Sequence, residues 1–403
     1  MFARQFRPEL FVCSSYMTPM TVQGRNTRGQ QARAPKTTSP GDIFSPPQPE
    51  PARLDPARRT WTLSRYADVF AALREPTFFQ ASAKGQNSGA DMSVDNSRVN
   101  AELQADMNRM SSAEWRAQME SVAQEIINRV ARPEPISLTR EIIQPWSLAV
   151  LLNLSGADQV LADRLRRITD CLLYKREYRD HPTTNGSRSP LLLRKWFSWR
   201  RKRAEGELDR ILETRQLSIS RSMFFGLTQT LPSFLAKSWL ALLHHPDQMA
   251  RLRTEPELMP GAVEELLRYA GIVHTLYRRA TRDVSLGDVH IAKDDFIILK
   301  LAAANHDPLK FHEPSQLDIT RRPIGQLGLG TGQHACVGAV IVRIAVSVVT
   351  PIFLAADPTL ETSEPIVWTG DSTVRWPVGF CARLRTRPKV GISAADLQNS
   401  GIR

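Results

Sequence analysis

The stretch Leu327-Gly-Leu-Gly-Thr-Gly-Gln-His-Ala-Cys-Val-Gly338, running directly into Ala339-Val-Ile-Val-Arg343, carries the densest chemical signal in the sequence. Gly328, Gly330 and Gly332 let the backbone turn tightly and approach a large flat object closely. Cys336 then sits at the start of an apolar helix predicted over 337–355. There, unpaired N–H groups and the helix dipole favour a thiolate. Two other readings stay open on this stretch alone. A lone cysteine is more often an inert core residue, and a glycine-rich loop before a helix can cradle phosphate. The phosphate reading lacks the Lys-Ser/Thr that should follow and the strand that should precede it.

Upstream, apolar residues three and four apart predict helices over 99–131, 140–155 and 157–179, and a basic helix over 190–217. Residues 219–245 are long, apolar and weakly amphipathic, the pattern of a helix buried through the middle of a protein. Gly226 and Pro232 must disturb its hydrogen-bond ladder. A charged helix over 257–269 leads to short strands at Tyr277–Ala280, Val289–Ile291 and Phe296–Leu299, and then to a meander with little periodicity. Nearer the start, Trp61–Tyr66 reads as a strand and Ala67–Arg74 as a helix stopped by Pro76. Polar segments at Gln80–Ser97 and around His181–Gly186 read as loops. The balance is mainly α with a minor sheet, without internal repeats.

The chain has 403 residues, above the roughly 250–300 at which one core usually stops growing, so one large fold or two domains is allowed. Apolar residues at 42% and charged residues at 23% exclude wholesale disorder, collagen-like structure and an integral membrane bundle. With 53 Lys+Arg against 41 Asp+Glu, the net charge is +12 and the isoelectric point near 9.9. That balance admits nucleic acid, an anionic membrane or an acidic protein as partner. Cys13, Cys171, Cys336 and Cys381 are too sparse for a disulfide scaffold and lack zinc-knuckle spacing. No apolar run is long enough for a transmembrane segment, and the N-terminus lacks a signal core. A cytoplasmic location is expected, with Met17 and Met20 leaving the start codon open.

The loop matches Phe-Gly-x-Gly-x-His-x-Cys-x-Gly, with Leu329 in place of the Phe. On these residues the sequence resembles the cytochrome P450 family of haem-thiolate monooxygenases, of the soluble bacterial type. The resemblance implies a helical bundle around haem b (iron protoporphyrin IX) with a small β subdomain. It makes Cys336 the iron ligand, whose thiolate favours O–O cleavage, and His334 a propionate hydrogen-bond donor. Gly330, Gly332 and Gly338 shape the cofactor loop. Glu265-Leu-Leu-Arg268 matches Glu-x-x-Arg, a pair that means little alone on a helix. The segment Phe311–Arg321 matches the meander that supplies a second arginine. Together they imply one carboxylate, Glu265, locked between Arg268 and Arg321. Arg278 aligns with a propionate-binding arginine, its bland alternative being a solvated strand residue. Trp61–Phe70 resembles the family's first helix region, so the similarity runs from about residue 60 to 385. The implied layout is a disordered leader over 1–45, a single haem domain over 46–390 and a tail over 391–403.

Two departures stand out. The family's Ala/Gly-Gly-x-Asp/Glu-Thr reads here Gly226-Leu-Thr-Gln-Thr230. Thr230 fills the alcohol position, Gln229 replaces the acid and Leu227 replaces a glycine. Glutamine orients water but cannot ionise, and a mid-helix Thr often bonds back to a carbonyl. The region 98–110 lacks the His-x-x-x-Arg that holds propionates in relatives, leaving Arg98 and Arg109 as open substitutes. The resemblance implies oxidation of a small organic or carrier-tethered substrate, of the kind met in secondary metabolism. Dioxygen would be the oxidant, with electrons from a separate ferredoxin or flavoprotein reductase. Peroxygenase chemistry, oxidative cross-linking, or a catalytically reduced haem protein serving as sensor or recruitment module are the alternatives. Arg194–Arg203, with Trp196, Phe197 and Trp199, reads as a solvated face, a membrane-surface contact or a dock for an acidic carrier. No nucleic-acid motif accompanies the charge.

Overall fold

The computed structural model describes residues 44, 46–80, 101–102, 104–108, 111–179, 191–214, 219–322, 325–361, 366–368 and 373–385. All lie in the unit Pro40–Arg403. Strands β1 (Arg53–Asp55) and β2 (Thr60–Leu63) lead into helix α1 (Tyr66–Arg74), followed by β3 (Phe78–Gln80). The long helix expected over 99–131 has an N-terminus inside it: α2 runs over Ser112–Val130. The reason is a capping box, with Ser111 Oγ accepting the Glu114 N–H and Glu114 Oε2 accepting the Ser111 N–H at 2.7 Å. These reciprocal bonds satisfy orphan donors that a continuous helix would not have had. After β4 (Ile136–Ser137), a π-helical turn over Leu138–Ile143 opens α3 (Gln144–Ser155), which Gly156 ends in the left-handed region at φ 63°.

Helices α4 (Gln159–Arg179) and α5 (Leu191–Glu213) pack against each other. The predicted 219–245 helix is interrupted, as its glycine and proline required. It consists of α6 (Arg221–Phe225), a π-helical turn over Gly226–Thr230, and α7 (Leu231–His244) with Pro232 in its first turn. Every residue of α7 from Leu231 to Leu243 is buried. Helices α8 (Pro246–Thr254) and α9 (Met259–Tyr269) follow. The chain then forms β5 (Leu276–Ala280), β6 (Val284–Leu286), β7 (Val289–Ile291), β8 (Phe296–Leu299) and α10 (Leu301–Ala304). Helix α11 (Ala339–Ala355) lies against α2 and α7, with Phe353 stacked on Trp239 at 4.0 Å. Burial of each such side chain stabilises by about 1.5–3 kcal/mol.

One five-stranded sheet has the order β1-β2-β8-β5-β3, with only β2 and β8 parallel. Leu63, Val69, Leu73, Phe78, Ile297, Leu299 and Leu327 form its own apolar cluster, which joins α1 and the cysteine loop to the sheet. A second sheet orders β4-β12-β9 from β9 (Pro358–Glu361) and β12 (Cys381–Leu384). A hairpin pairs β10 (Val367–Trp368) with β11 (Pro377–Gly379). Of the leader expected over 1–45, only Phe44 is described, and it is buried, stacked on Tyr269 at 5.1 Å. No helix among the described residues is long and apolar enough to cross a membrane.

Candidate active site

The cysteine loop is built by its own backbone. The Gly330 N–H donates to Leu327 O at 2.9 Å, and the Cys336 N–H returns to Leu329 O at 2.8 Å. Between them Gly332 adopts φ 74°, and a Cβ there would lie 2.7 Å from Leu73 O and 3.1 Å from Arg74 Cα. Only glycine fits a left-handed residue pressed onto the C-terminal end of α1. Gly330, at φ 70°, completes the reversal that turns the loop toward α11. Cys336 is exposed by surface area, yet enough protein surrounds its sulfur to desolvate it. Desolvation there is the largest influence, pushing the free thiol up, while the Gly338 N–H and the Arg343 charge pull it down. A methyl on Gly338 would touch this sulfur at 3.8 Å.

Arg278 projects from β5 and is only 3% exposed. Its Nη1–H donates to Tyr277 O at 2.9 Å, and among the described residues no carboxylate pairs with it. Burial alone pulls its pKa down to about 10. His334 lies within its field: desolvation first, then the Arg278 charge, hold the imidazole below its ordinary range. A buried guanidinium has five donors and little tolerance for leaving them unpaired. The site asks for an anion. The solvated-strand alternative for Arg278 fails on its burial.

Across the interior, the π-helical turn opens one face of the long interrupted helix. The Leu231 N–H reaches back five residues to Gly226 O, and Pro232 has no N–H to continue the ordinary ladder. Ser147 Oγ pins the turn by donating to Leu227 O. A side chain at Gly226 would meet open space. Thr230 Oγ1 donates backward to Phe225 O at 3.3 Å and Gly226 O at 3.2 Å. Ser233 Oγ donates to Gln229 O at 2.5 Å. The Thr230 hydroxyl thus stands within the opened turn, back-bonded to it.

Beneath the loop, Glu265 and Arg268 are fully buried. Arg321 reaches the same carboxylate at 3.2 Å, and the Asp318 N–H reaches it at 3.1 Å. Arg268 also donates to Asn305 O and Pro314 O, both at 2.8 Å, and Arg321 to His312 O at 2.6 Å. One carboxylate therefore organises carbonyls across the whole meander, so the predicted triad is assembled. A neighbouring link escaped the sequence reading. Arg343 donates to Glu264 at 2.5 Å, and Gln326 Nε2–H donates to the same carboxylate at 3.1 Å, tying α9 to both ends of the cysteine loop. Glu264 adjacent to Glu265 was the available signal. Arg98, Arg109, the 81–97 loop and the side chains of Trp196 and Phe197 lie outside the described residues. Trp199 is 55% exposed, with the Arg203 guanidinium 5.5 Å above its ring.

An exposed thiol, and a buried guanidinium with no carboxylate partner among the described residues, fit an iron porphyrin with anionic carboxylates. Comparison with known proteins agrees. Residues 219–356, spanning the π-helical opening, the carboxylate lock and the cysteine, match the family model described as Cytochrome P450. The match identifies this segment as a cytochrome P450 domain. Cytochrome P450-SU2 of Streptomyces griseolus is 29% identical, the match covering 88% of this chain and 98% of that protein. The mycinamicin VIII C21 methyl hydroxylase of Micromonospora griseorubida is 27% identical over 81% of this chain and 93% of its own. Among solved structures, P450BioI in complex with hexadec-9Z-enoic acid ligated acyl carrier protein superposes with a TM-score of 0.64. That match covers 80% of this chain and 92% of that one at 19% identity, a likeness of fold. This P450 is mainly α with a small sheet component, and its family and fold imply haem b.

Proposed function

We propose that this P450 uses Cys336 to bind haem b and oxidises a small organic substrate with dioxygen and electrons from a separate protein. The observation that carries the residue assignment is the pairing of an open Cys336 thiol with a buried Arg278 that has no carboxylate partner among the described residues. When bound, haem b supplies the iron centre at which oxidant and substrate react. Cys336 donates its thiolate from the N-terminus of α11, where the Gly338 N–H and Arg343 favour the charged sulfur. Arg278 neutralises the cofactor's carboxylates, and His334 as a neutral imidazole donates a hydrogen bond to them. Glu265 between Arg268 and Arg321 keeps the meander and the loop fixed beneath it.

The π-helical turn leaves room beside Gly226. Thr230 can exchange its long backward bonds for a water held in that room. Gln229 orients such a water through its amide but holds no ionisable proton. Protons must therefore reach the site through ordered water or through groups on the substrate. The cationic, aromatic face of α5 around Trp199 fits an acidic electron donor or an acidic carrier bearing the substrate. The carrier-bound P450BioI supports that reading as an analogy of fold.

The test is oxygen-dependent turnover of a fatty acid, free and tethered to acyl carrier protein, with NADPH, ferredoxin and ferredoxin reductase. Turnover of either form with this electron supply, faster for the tethered one, is expected. The absence of Asp or Glu at 229 favours a second reading, peroxide as oxidant. Turnover with hydrogen peroxide but none with the electron donors would replace the first reading by the second.

A further inference from the structure

Lys237 stands on α7 with its side chain buried, 3% exposed, and the chemistry outlined above does not use it. Its ammonium group hydrogen-bonds Gly271 O at 2.9 Å and lies 2.9 Å from His274 Nε2. Both partners belong to the 271–275 connection, which joins Arg268 at the end of α9 to Arg278 on β5. The same connection flanks the cysteine loop: a Cβ on Gly271 would lie 3.9 Å from Gly328 Cα. Its other face is fastened to the C-terminal segment. The His274 and Thr275 N–H groups donate to Thr373 O, and the Arg375 N–H donates to Ile272 O. Lys237 is thus a direct bond from the interrupted helix to the segment that delivers Arg278.

The surroundings of Lys237 are all basic. His274 faces it from the connection, Arg375 from the C-terminal segment and His306 from the end of α10, with Lys300 adding to the field at His274. No carboxylate joins this set among the described residues. Burial, reinforced by Arg375, brings Lys237 down to about 7, and burial with Lys237 and Arg375 beside it brings His274 down to about 3. His274 therefore stays neutral and acceptor-competent at Nε2, while Lys237 changes charge near neutrality. A lysine held inside such a set is not there as an ion-pair partner. Removal of the hydrogen bonds frees the connection; protonation of the amine favours any motion that returns it to water.

We propose that Lys237 is a positioning residue that clamps the 271–275 connection to α7, through Gly271 O and His274 Nε2, and so sets where Arg278 meets the cofactor. This inference rests on the haem-binding function proposed above. Its test is hydrogen–deuterium exchange of the haem-loaded protein, read at the 271–275 amides and corrected for intrinsic rates, between about pH 9 and pH 6. In the wild type, exchange should rise more than about tenfold as pH falls through that window, because the open form binds the proton more tightly. Lys237→Met should exchange fast and without this pH dependence. Lys237→Arg, charged throughout, should also lose the dependence.

His274→Gln keeps an acceptor for the amine and should preserve the wild-type profile, whereas His274→Leu should behave as Lys237→Met. This pair carries the test if the lysine variants do not fold. Identical exchange in Lys237→Met and wild type, or an unchanged profile in His274→Leu, overturns the clamp. The haem reading is checked separately in the same samples by the absorption of the reduced carbon monoxide complex. Absence of a thiolate-type Soret band in the wild type itself would overturn that reading and leave the exchange result to stand or fall alone.

Discussion

The Arg268 guanidinium grips the Glu265 carboxylate through two hydrogen bonds, Nε–H to Oε2 at 2.8 Å and Nη2–H to Oε1 at 2.7 Å, with both side chains fully buried. Arg321 is the second cation on the same carboxylate, so removal of the acid strands two guanidiniums. Loss of one partner of such a set costs about 3–5 kcal/mol. Glu265→Gln should give a protein that retains little haem and unfolds at distinctly lower denaturant. Arg321→Lys, at the less buried end and without the fork geometry, should cost less. Equilibrium unfolding of the three proteins checks the order.

Gly332 is required by space as well as by backbone angle, since a methyl there meets Leu73 O at 2.7 Å. Gly332→Ala should destabilise by at least about 1 kcal/mol and lower haem occupancy by shifting the loop off α1. Gly226→Ala, where a side chain meets open space, should leave stability nearly unchanged and act on ligand access instead. Thermal melting and haem-to-protein ratios separate the two effects.

Acid should destabilise the fold through its buried histidines. Desolvation, with Lys237 and Arg268 respectively next in weight, depresses His274 and His306 to about 3 from an ordinary 6.5. The unfolded chain takes up these protons first. Their contribution is complete above about pH 6.5 and is lost progressively as pH falls toward about 3. His306 Nδ1 is bonded to Ala302 O, and its Nε2 has no partner among the described residues. His306→Leu should therefore show a shallower loss of melting temperature between about pH 6.5 and pH 4.5 than the wild type.

Gln229 makes proton supply a testable weakness. Gln229→Glu places an ionisable group beside Thr230 at the open turn. With ferredoxin-delivered electrons it should raise the product formed per NADPH by several-fold, about one proton-transfer advantage. Thr230→Ala should lower that ratio with smaller effect on haem content. Equal ratios in wild type and Gln229→Glu would mean that protons already arrive by another route.

Much of this molecule is local enough to be legible in sequence. Gly226 and Pro232 announced the interrupted helix, and the Glu265–Arg268 spacing with the Phe311–Arg321 meander announced the carboxylate lock. What stayed hidden depends on contacts between distant segments. The short strands β3, β4, β9 and β12 are too brief to show a period and exist through their pairing. The capping box at Ser111 was readable but was overridden by the continuous apolar pattern around it. Lys237 lies within an apolar run, and nothing nearby in sequence reveals Gly271 and His274 across from it.

The most direct measurement is the absorption spectrum of the reduced protein under carbon monoxide, compared between wild type and Cys336→Ala. A Soret band shifted far to the red in the wild type, and lost in Cys336→Ala, is the expected result, because thiolate ligation of the iron would produce that shift. A wild-type protein that takes up haem without that band, or a Cys336→Ala variant that keeps it, would contradict Cys336 as the iron ligand.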